Sequence, residues 1–201
     1  VKKIIQSYYN QKIIFFLEAN QHYKNQYEVA SILKKKFFSS PQRKKDNIIF
    51  KKNNLNIVVH IRLPMIIEDV VKRYKDVNYL VNIITLSFNM LNNILKKIKT
   101  KKKMKIFIFS QFNHKNLEIF SKFSNVKFCY KLNAYKSFIN MIYADVLITS
   151  RSSFSYKPAL MCRGIKVSPQ NFWHGYPKNK DWILANDKGQ FIRNNQQILK
   201  L

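Results

Sequence analysis

The stretch Asp145–Leu160, DVLITSRSSFSYKPAL, decides how the rest of the chain is read. Val146, Leu147 and Ile148 form a short unbroken apolar run, the pattern of a strand buried on both faces. It passes directly into Ser150, Ser152, Ser153 and Ser155, and SYKPALMC then starts a helix, with Pro158 tolerable in the first turn. The strand-to-helix turn therefore contains four hydroxyls and no glycine. A core disfavours such a cluster. One serine as an N-cap is routine, but four exceed what a cap needs. Hydroxyls and backbone N–H groups at a helix start, aided by the helix dipole, form a ready anion site. The stretch reads as a β-α unit whose turn faces a ligand.

The same alternation extends outward in both directions. Leu55–Arg62, LNIVVHIR, is a β-branched strand that ends in a histidine and an arginine. VNYLVNIITLSFNMLNNILKKIK places Leu80, Ile83, Ile84, Phe88, Leu91, Leu95 and Ile98 on one face of an amphipathic helix. Met104–Ser110 reads as a strand, Asn116–Phe123 as a helix, Asn125–Tyr130 as a strand and Ser137–Tyr143 as a helix. Gly164–Pro169 reads as a short strand after a glycine C-cap. Nearer the start, Lys12–Ala19 is a candidate strand, and Tyr27, Ala30, Ile32, Leu33 and Phe37 have helical spacing. Ser39–Asn47, polar and carrying Pro41, is the best linker candidate. Strands alternating with helices predict an α/β fold with a Rossmann-like open, mostly parallel sheet. Ligands of such sheets bind outside the carboxyl ends of the strands.

The bulk composition sets limits. With 16 Phe and 11 Tyr, the chain can fill a sizeable core. Only 3 Gly and 5 Pro argue against a turn-rich β-sandwich. No glycine-rich phosphate loop or dinucleotide fingerprint is present. The formal charge of +27 suggests nucleic acid or an anionic surface, but the lysines are scattered along the whole chain beside abundant Asn and Ile. We read the surplus as compositional. Cys129 and Cys162 are far apart and in no metal spacing, which fits buried thiols in a reducing compartment. No apolar run reaches membrane-spanning length, and no signal pattern opens the chain. The chain opens on Val1 rather than Met, which leaves room for a segment ahead of it, and its localisation is left unassigned.

Three strand ends gather residues that do not look structural: His60 and Arg62, Ser110 and Gln111, and Ser150 to Ser155. Alternation along a strand puts His60 and Arg62 on one side. Arg62 either pairs with Glu68 or Asp69 or reads a phosphate with its guanidinium fork. His60 alone reads as a satisfied structural histidine and gains weight beside Arg62.

VVHIR resembles the H-x-R element of the GDP-fucose-dependent fucosyltransferases, the α1,2-, α1,6- and protein O-fucosyltransferase superfamily. ADVLITSRSSFSYKPALMCRGIKV resembles the later motif of the same group, and NFWHGYPKNKDWI resembles the segment that follows in some relatives. The similarity runs from about Asn56 to Ile192 and implies the nucleotide-sugar-binding half of a GT-B fold. It divides the chain into 1–47, a remnant or edge of an N-terminal region, and 48–201, the Rossmann-like domain. It implies a metal-independent inverting transfer of a sugar from GDP-fucose, or a related nucleotide sugar, to an acceptor hydroxyl. Arg62 would be the catalytic residue, binding the β-phosphate and neutralising the leaving GDP. His60 would support that contact. Ser152, Ser153 and Phe154 would cradle the pyrophosphate, with Ser155 near the helix start. No cofactor and no metal site are expected, and the chain has no D-x-D sequence. The acceptor would be a glycan or a protein, with a partner domain or subunit completing the cleft and no specific nucleic acid bound.

The sequence departs from the family pattern at two places. Leu63, Pro64 and Met65 stand where the family often has Gly-Asp. Asn133, Ala134 or Tyr135 stands where an acidic guanine contact is expected. Glu18, Glu68 and Asp69 are candidate bases by chemistry alone. Tyr135, Trp173, His174 and Trp182 either line the site or pack the core. Two other readings remain at this stage: a non-catalytic remnant that keeps nucleotide binding, and a basic nucleic-acid-binding protein.

Overall fold

In a computed structural model of the protein, residues 6–12, 26–63, 78–178 and 180–192 are described. Six strands run parallel in one open sheet: β1 Asn54–His60, β2 Lys103–Phe109, β3 Val126–Phe128, β4 Val146–Ile148, β5 Ile165–Pro169 and β6 Trp182–Ala185. Their order is β3-β2-β1-β4-β5-β6. The architecture is α/β and Rossmann-like. The chain winds from β1 through β2 to β3, then crosses to the other side of β1 and continues outward, so the switch point lies between β1 and β4.

The middles of the central strands, Ile57–Val59, Ile106–Phe109 and Val146–Ile148, are apolar because both faces are covered. On β1, Leu55, Ile57 and Val59 join one buried cluster, while Val58 joins the other. Ile57, Val58 and Val59 have no exposed surface, and burying each contributes roughly 1.5–3 kcal/mol. The first face is covered by the long helix at Tyr79–Lys97 and by a 3-10 segment at Lys115–Lys122. The second is covered by α1 (Ala30–Ser39), α3 (Ala134–Ile142) and α4 (Ser153–Met161), so Tyr79–Lys97 is α2.

Several expectations are corrected in detail. The buried face of α2 centres on Ile84, Ser87, Met90, Leu91 and Ile94, with Leu80, Ile83, Phe88 and Leu95 only partly buried. The Ser87 hydroxyl donates to the Ile83 carbonyl at 3.0 Å, which makes its burial tolerable. The helix expected over Asn116–Phe123 is a 3-10 helix, Lys115–Lys122, in which Leu117 and Phe120, both buried, are three residues apart. Helix α4 starts at Ser153, two residues earlier than expected, because Ser152 is the N-cap. Pro158 therefore sits in the second turn, where it offers no N–H to the Phe154 carbonyl. Gly164 does not cap a helix with a left-handed residue, since the positive-φ glycines are Gly175 and Gly189. Its role is close approach: a Cβ there would lie 2.2 Å from the Asp145 carbonyl oxygen and 2.4 Å from that of Ala144.

The polar Ser39–Asn47 stretch packs against the domain. Pro41–Lys45 forms a 3-10 turn, Arg43 pairs with Asp46 at 3.1 Å and lies 4.4 Å above the Phe37 ring, and the Tyr143 hydroxyl donates to Asp46 at 3.1 Å. On α1, Ile32 and Leu33 point to solvent instead of the core. The candidate strand Lys12–Ala19 lies outside the described residues beyond Lys12. Cys129 and Cys162 are buried free thiols, both held above their ordinary pKa by burial, Cys129 at about 11. Among the described residues no helix is long and apolar enough to cross a membrane.

Candidate functional site

The site lies at the carboxyl ends of β1, β2, β4 and β5, across the switch point. His60 is the last residue of β1, and Ser150 follows β4 by two positions. The parallel pairing of β1 with β4 brings the two together, with His60 Nδ1 and Ser150 Oγ 2.9 Å apart. His60 is only 3% exposed. Burial, and secondarily the charge of Arg62, lowers its pKa to about 3, so the imidazole is neutral at physiological pH. It is a fixed polar strut between the two halves of the sheet.

Arg62 lies two residues past the strand and is exposed. Its backbone is held on both sides. The Ile61 N–H donates to the Phe109 carbonyl at 2.8 Å. The Gln111 side chain then extends the ladder, accepting from the Leu63 N–H at 3.2 Å and donating to the Leu63 carbonyl at 3.0 Å. Among the described residues no carboxylate pairs with Arg62. Glu18, Pro64, Met65, Glu68 and Asp69 lie outside the described residues.

Two clefts meet at Arg62. The larger, about 460 Å³, opens toward α2 and is bounded by Tyr79, Ser87, Arg151, Asn171 and Trp173. The smaller, about 340 Å³, lies beside the start of α3, between His60, Phe109, Ser110, Ser137 and Phe154. Ser110 is 9% exposed, and its hydroxyl has no hydrogen-bond partner among the described residues. Asn133, the expected guanine-contact position, instead caps α3 by accepting from the Lys136 N–H at 2.8 Å. Ala134 lines the smaller cleft, and Tyr135 is exposed.

The hydroxyls of the serine turn are engaged with groups of the protein itself. Ser152 Oγ accepts from the Phe154 N–H at 3.3 Å. Ser155 is wholly buried and donates to the carbonyls of Ser152 and Ser150 at 3.3 and 3.4 Å. Its side chain points into the protein from the first turn of α4, near the helix start as expected. Ser150 meets His60, and Ser153 Oγ lies 2.8 Å from His174 Nε2. Each of the four hydroxyls thus has a partner within the protein.

The aromatic candidates separate cleanly. Trp182 is 6% exposed and belongs to the core through β6, a strand the sequence reading missed because its four residues follow an irregular aromatic stretch. His174 is 2% exposed, stacked on Tyr156 at 4.8 Å and on Trp173 at 4.5 Å. Trp173 itself is 60% exposed. Arg151, Asn171, Tyr79 and Ser87 were not anticipated as lining residues. Tyr79 and Ser87 come from α2, Arg151 from the turn after β4 and Asn171 from the loop after β5, and no local pattern links them. Arg151 is ion-paired with Asp187.

No protein-family model matches the chain, and no curated protein matches it. Among solved structures it is similar to the crystal structure of NodZ alpha-1,6-fucosyltransferase soaked with GDP-fucose, at 14% sequence identity and a TM-score of 0.43. The likeness covers 76% of this chain and 47% of that one, so the chain spans about half the length of that structure.

Proposed function

We propose that this chain carries the donor-binding half of a glycosyltransferase, fucosyltransferase-like, which moves a sugar from a GDP-sugar to an acceptor hydroxyl with inversion and without a metal. The observation that carries this reading is Arg62. It is a cation at the switch point of a parallel sheet, with its backbone clamped on both sides, standing where two clefts meet. Such a position suits an anionic group that joins two different moieties, as a diphosphate joins a nucleoside to a sugar. The H-x-R and Ser-Ser-Phe-Ser resemblances point to the same chemistry.

In this reading the diphosphate lies against Arg62 and the first turn of α4, Ser152 to Ser155. The backbone dipole there favours negative charge. The serines shape the turn: Ser152 caps it, Ser155 locks it from within, and Ser153 remains at the rim beside Phe154. His60 sets the distance between β1 and β4 through Ser150 and so places Arg62 opposite the turn. The nucleoside occupies the smaller cleft, and the sugar faces the larger one. In the reaction the acceptor oxygen forms a bond to the anomeric carbon as the bond from that carbon to the β-phosphate oxygen breaks. The departing GDP keeps the electron pair, and the acceptor proton passes to a base. Arg62 stabilises the charge that accumulates on the β-phosphate. Removing such a group typically costs about two to three orders of magnitude in rate.

The test is calorimetric titration of GDP, GDP-fucose and UDP into wild type and Arg62→Ala at moderate salt without added metal. GDP binding that is ten- to a hundredfold weaker in the variant is expected, from loss of about 1.5–3 kcal/mol of charged hydrogen bonding. Failure of every nucleotide to bind the wild type would sink the reading. Raising the salt separates it from nucleic-acid binding, which falls steeply with ionic strength, whereas one diphosphate pocket responds far less.

A further inference from the structure

Lysines that look scattered in the sequence are gathered by the fold. Lys51 and Lys52 stand in the turn that enters β1, and Lys101, Lys102 and Lys103 lead into β2. The parallel pairing sets Asn54 opposite Lys103, so two segments far apart in the chain become neighbours at the amino end of the sheet. Helix α2 delivers the chain to the same end, and Lys99 follows its last turn. All six side chains are exposed. The backbone beneath them is fixed. The Asn54 N–H and the Asn56 side-chain amide each donate to the Lys51 carbonyl at 3.1 Å. The Lys102 N–H donates to Thr100 Oγ1 at 3.1 Å, and Ile98, 8% exposed, anchors the end of α2 in the core.

Ordinary roles do not account for this edge. Cations complement a helix dipole only within its last turn, and Lys101 to Lys103 lie beyond that of α2. Among the described residues no carboxylate pairs with any of the six. The carboxylates at this end of the sheet are engaged elsewhere. Asp145 accepts from the Asn56 N–H at 2.7 Å, Asp46 pairs with Arg43 at 3.1 Å, and Asp181 lies 3.5 Å from Lys166 Nζ. The clefts around Arg62 are at the far end of β1, seven residues or roughly 20 Å away. Screening at physiological salt acts over about 8 Å, so the two ends do not share a ligand. Every charge in the two segments is a lysine, and neither segment holds an aromatic ring. Lysine lacks the planar fork that reads phosphates and base edges, and single strands are gripped by stacking on rings. The exposed rings that follow β2, β3 and β5, namely Phe112, Tyr135 and Trp173, stand at the opposite end of the sheet. A fixed edge of lysines suits a fluid layer of anionic headgroups, which each charge attracts without a defined partner geometry. We propose that the amino end of β1 and β2 docks on an anionic membrane surface and holds the chain there peripherally, with the clefts around Arg62 turned away from the lipid. Docking of this kind is independent of what those clefts bind.

The test is vesicle co-sedimentation of the full chain, with phosphatidylcholine alone and with about 30 mol% phosphatidylserine added, at about 0.1 M salt. Two quadruple variants are compared with wild type. The first is Lys51→Gln, Lys52→Gln, Lys101→Gln and Lys102→Gln. The second removes four exposed lysines that follow the carboxyl ends of the strands, by Lys115→Gln, Lys131→Gln, Lys136→Gln and Lys188→Gln, and so has the same net charge. Wild type is expected to bind the anionic vesicles and not the neutral ones, and to release them as the salt is raised. Each lysine at the surface is worth about fivefold in partitioning, so the first variant should bind at least about a hundredfold more weakly. The second should stay within about fivefold of wild type. Thermal melting establishes that both variants are folded, and the salt series on wild type needs no variant. No wild-type binding to anionic vesicles, equal binding to neutral ones, or insensitivity to salt overturns the proposal. Equal losses in the two variants also overturn it, because net charge and not this edge would then be responsible. A single-stranded RNA oligonucleotide is titrated alongside, and RNA binding that is tighter than vesicle binding and lost with the first four lysines overturns the membrane in favour of nucleic acid.

Discussion

Replacing His60 with glutamine tests the centre of the site without any ligand. The imidazole is buried, 2.9 Å from Ser150 Oγ, with its pKa near 3 against an ordinary value of 6.5. The folded protein therefore binds no proton at His60 until well below pH 4, while the unfolded chain does so from about pH 6.5 downward. The unfolded state holds more protons throughout that window, so stability falls as the pH falls. The contribution is fully present above pH 6.5 and fades through the interval down to about pH 3. Between pH 7.5 and pH 5 the linkage amounts to about 2 kcal/mol, from 0.59 kcal/mol times the logarithm of the ratio of the two binding polynomials. Against a stability of about 5–15 kcal/mol this is a large fraction.

The assay is urea unfolding of wild type and His60→Gln at both pH values. Glutamine can still hydrogen-bond Ser150 but does not titrate, and every other titrating group is common to the two proteins. Wild type should lose about 2 kcal/mol more than the variant on acidification, a difference of roughly 1 M in the change of urea midpoint. Parallel acid destabilisation of wild type and His60→Gln would refute the reasoning. It would mean that His60 takes up its proton within the fold and is not the neutral strut that joins β1 to β4.

Gly164→Ala should be among the most damaging single substitutions. The added carbon meets main-chain atoms at 2.2–2.6 Å, and the Ile165 N–H to Asp145 carbonyl bond at 2.9 Å must open to admit it. A loss of at least about 3 kcal/mol is expected, read as a fall in melting temperature, and a variant as stable as wild type would contradict the close approach. Gln111→Ala should leave the melting temperature nearly unchanged but weaken GDP binding about tenfold, since it releases the Leu63 backbone and with it the anchor of Arg62. Unchanged GDP affinity would show that the clamp does not position the guanidinium.

The fold was legible where one residue type does one job over several positions. Ile57–Val59 and Ile106–Phe109 are apolar at every position because α2 and the 3-10 segment cover one face while α3 and α4 cover the other, and a strand buried on both sides reads as an unbroken apolar run. β6 was not legible. Its four residues lie at the sheet edge, and what places them is pairing with β5, a fact about Lys166–Pro169 rather than about WILA itself. The face of α2 was legible, since Leu80, Ile83, Ile84, Phe88, Leu91, Leu95 and Ile98 all lie in or against the buried cluster, but the burial of Ser87 and Met90 beside them was not. Hydropathy ranks Ser87 as surface, and only its bond to the Ile83 carbonyl explains why it is not.

The site was legible as residues and not as bonds. The density of serine after β4 marked the turn correctly, but a hydroxyl in a sequence carries no record of what it will meet. Ser150 and Ser153 look alike in the string. One is joined to a histidine 90 positions earlier, the other to a histidine 21 positions later. Those two imidazoles, from β1 and from the loop after β5, brace the turn from opposite sides, and Ser155 closes it from below. Much of the chemistry that composition offers to a ligand is thus consumed in holding a glycine-free turn in shape. In glycine-rich phosphate loops the backbone is free to approach an anion because side chains are absent. Here the backbone is held because the side chains are bound to one another, and the hydroxyl count reports the stiffness of the turn.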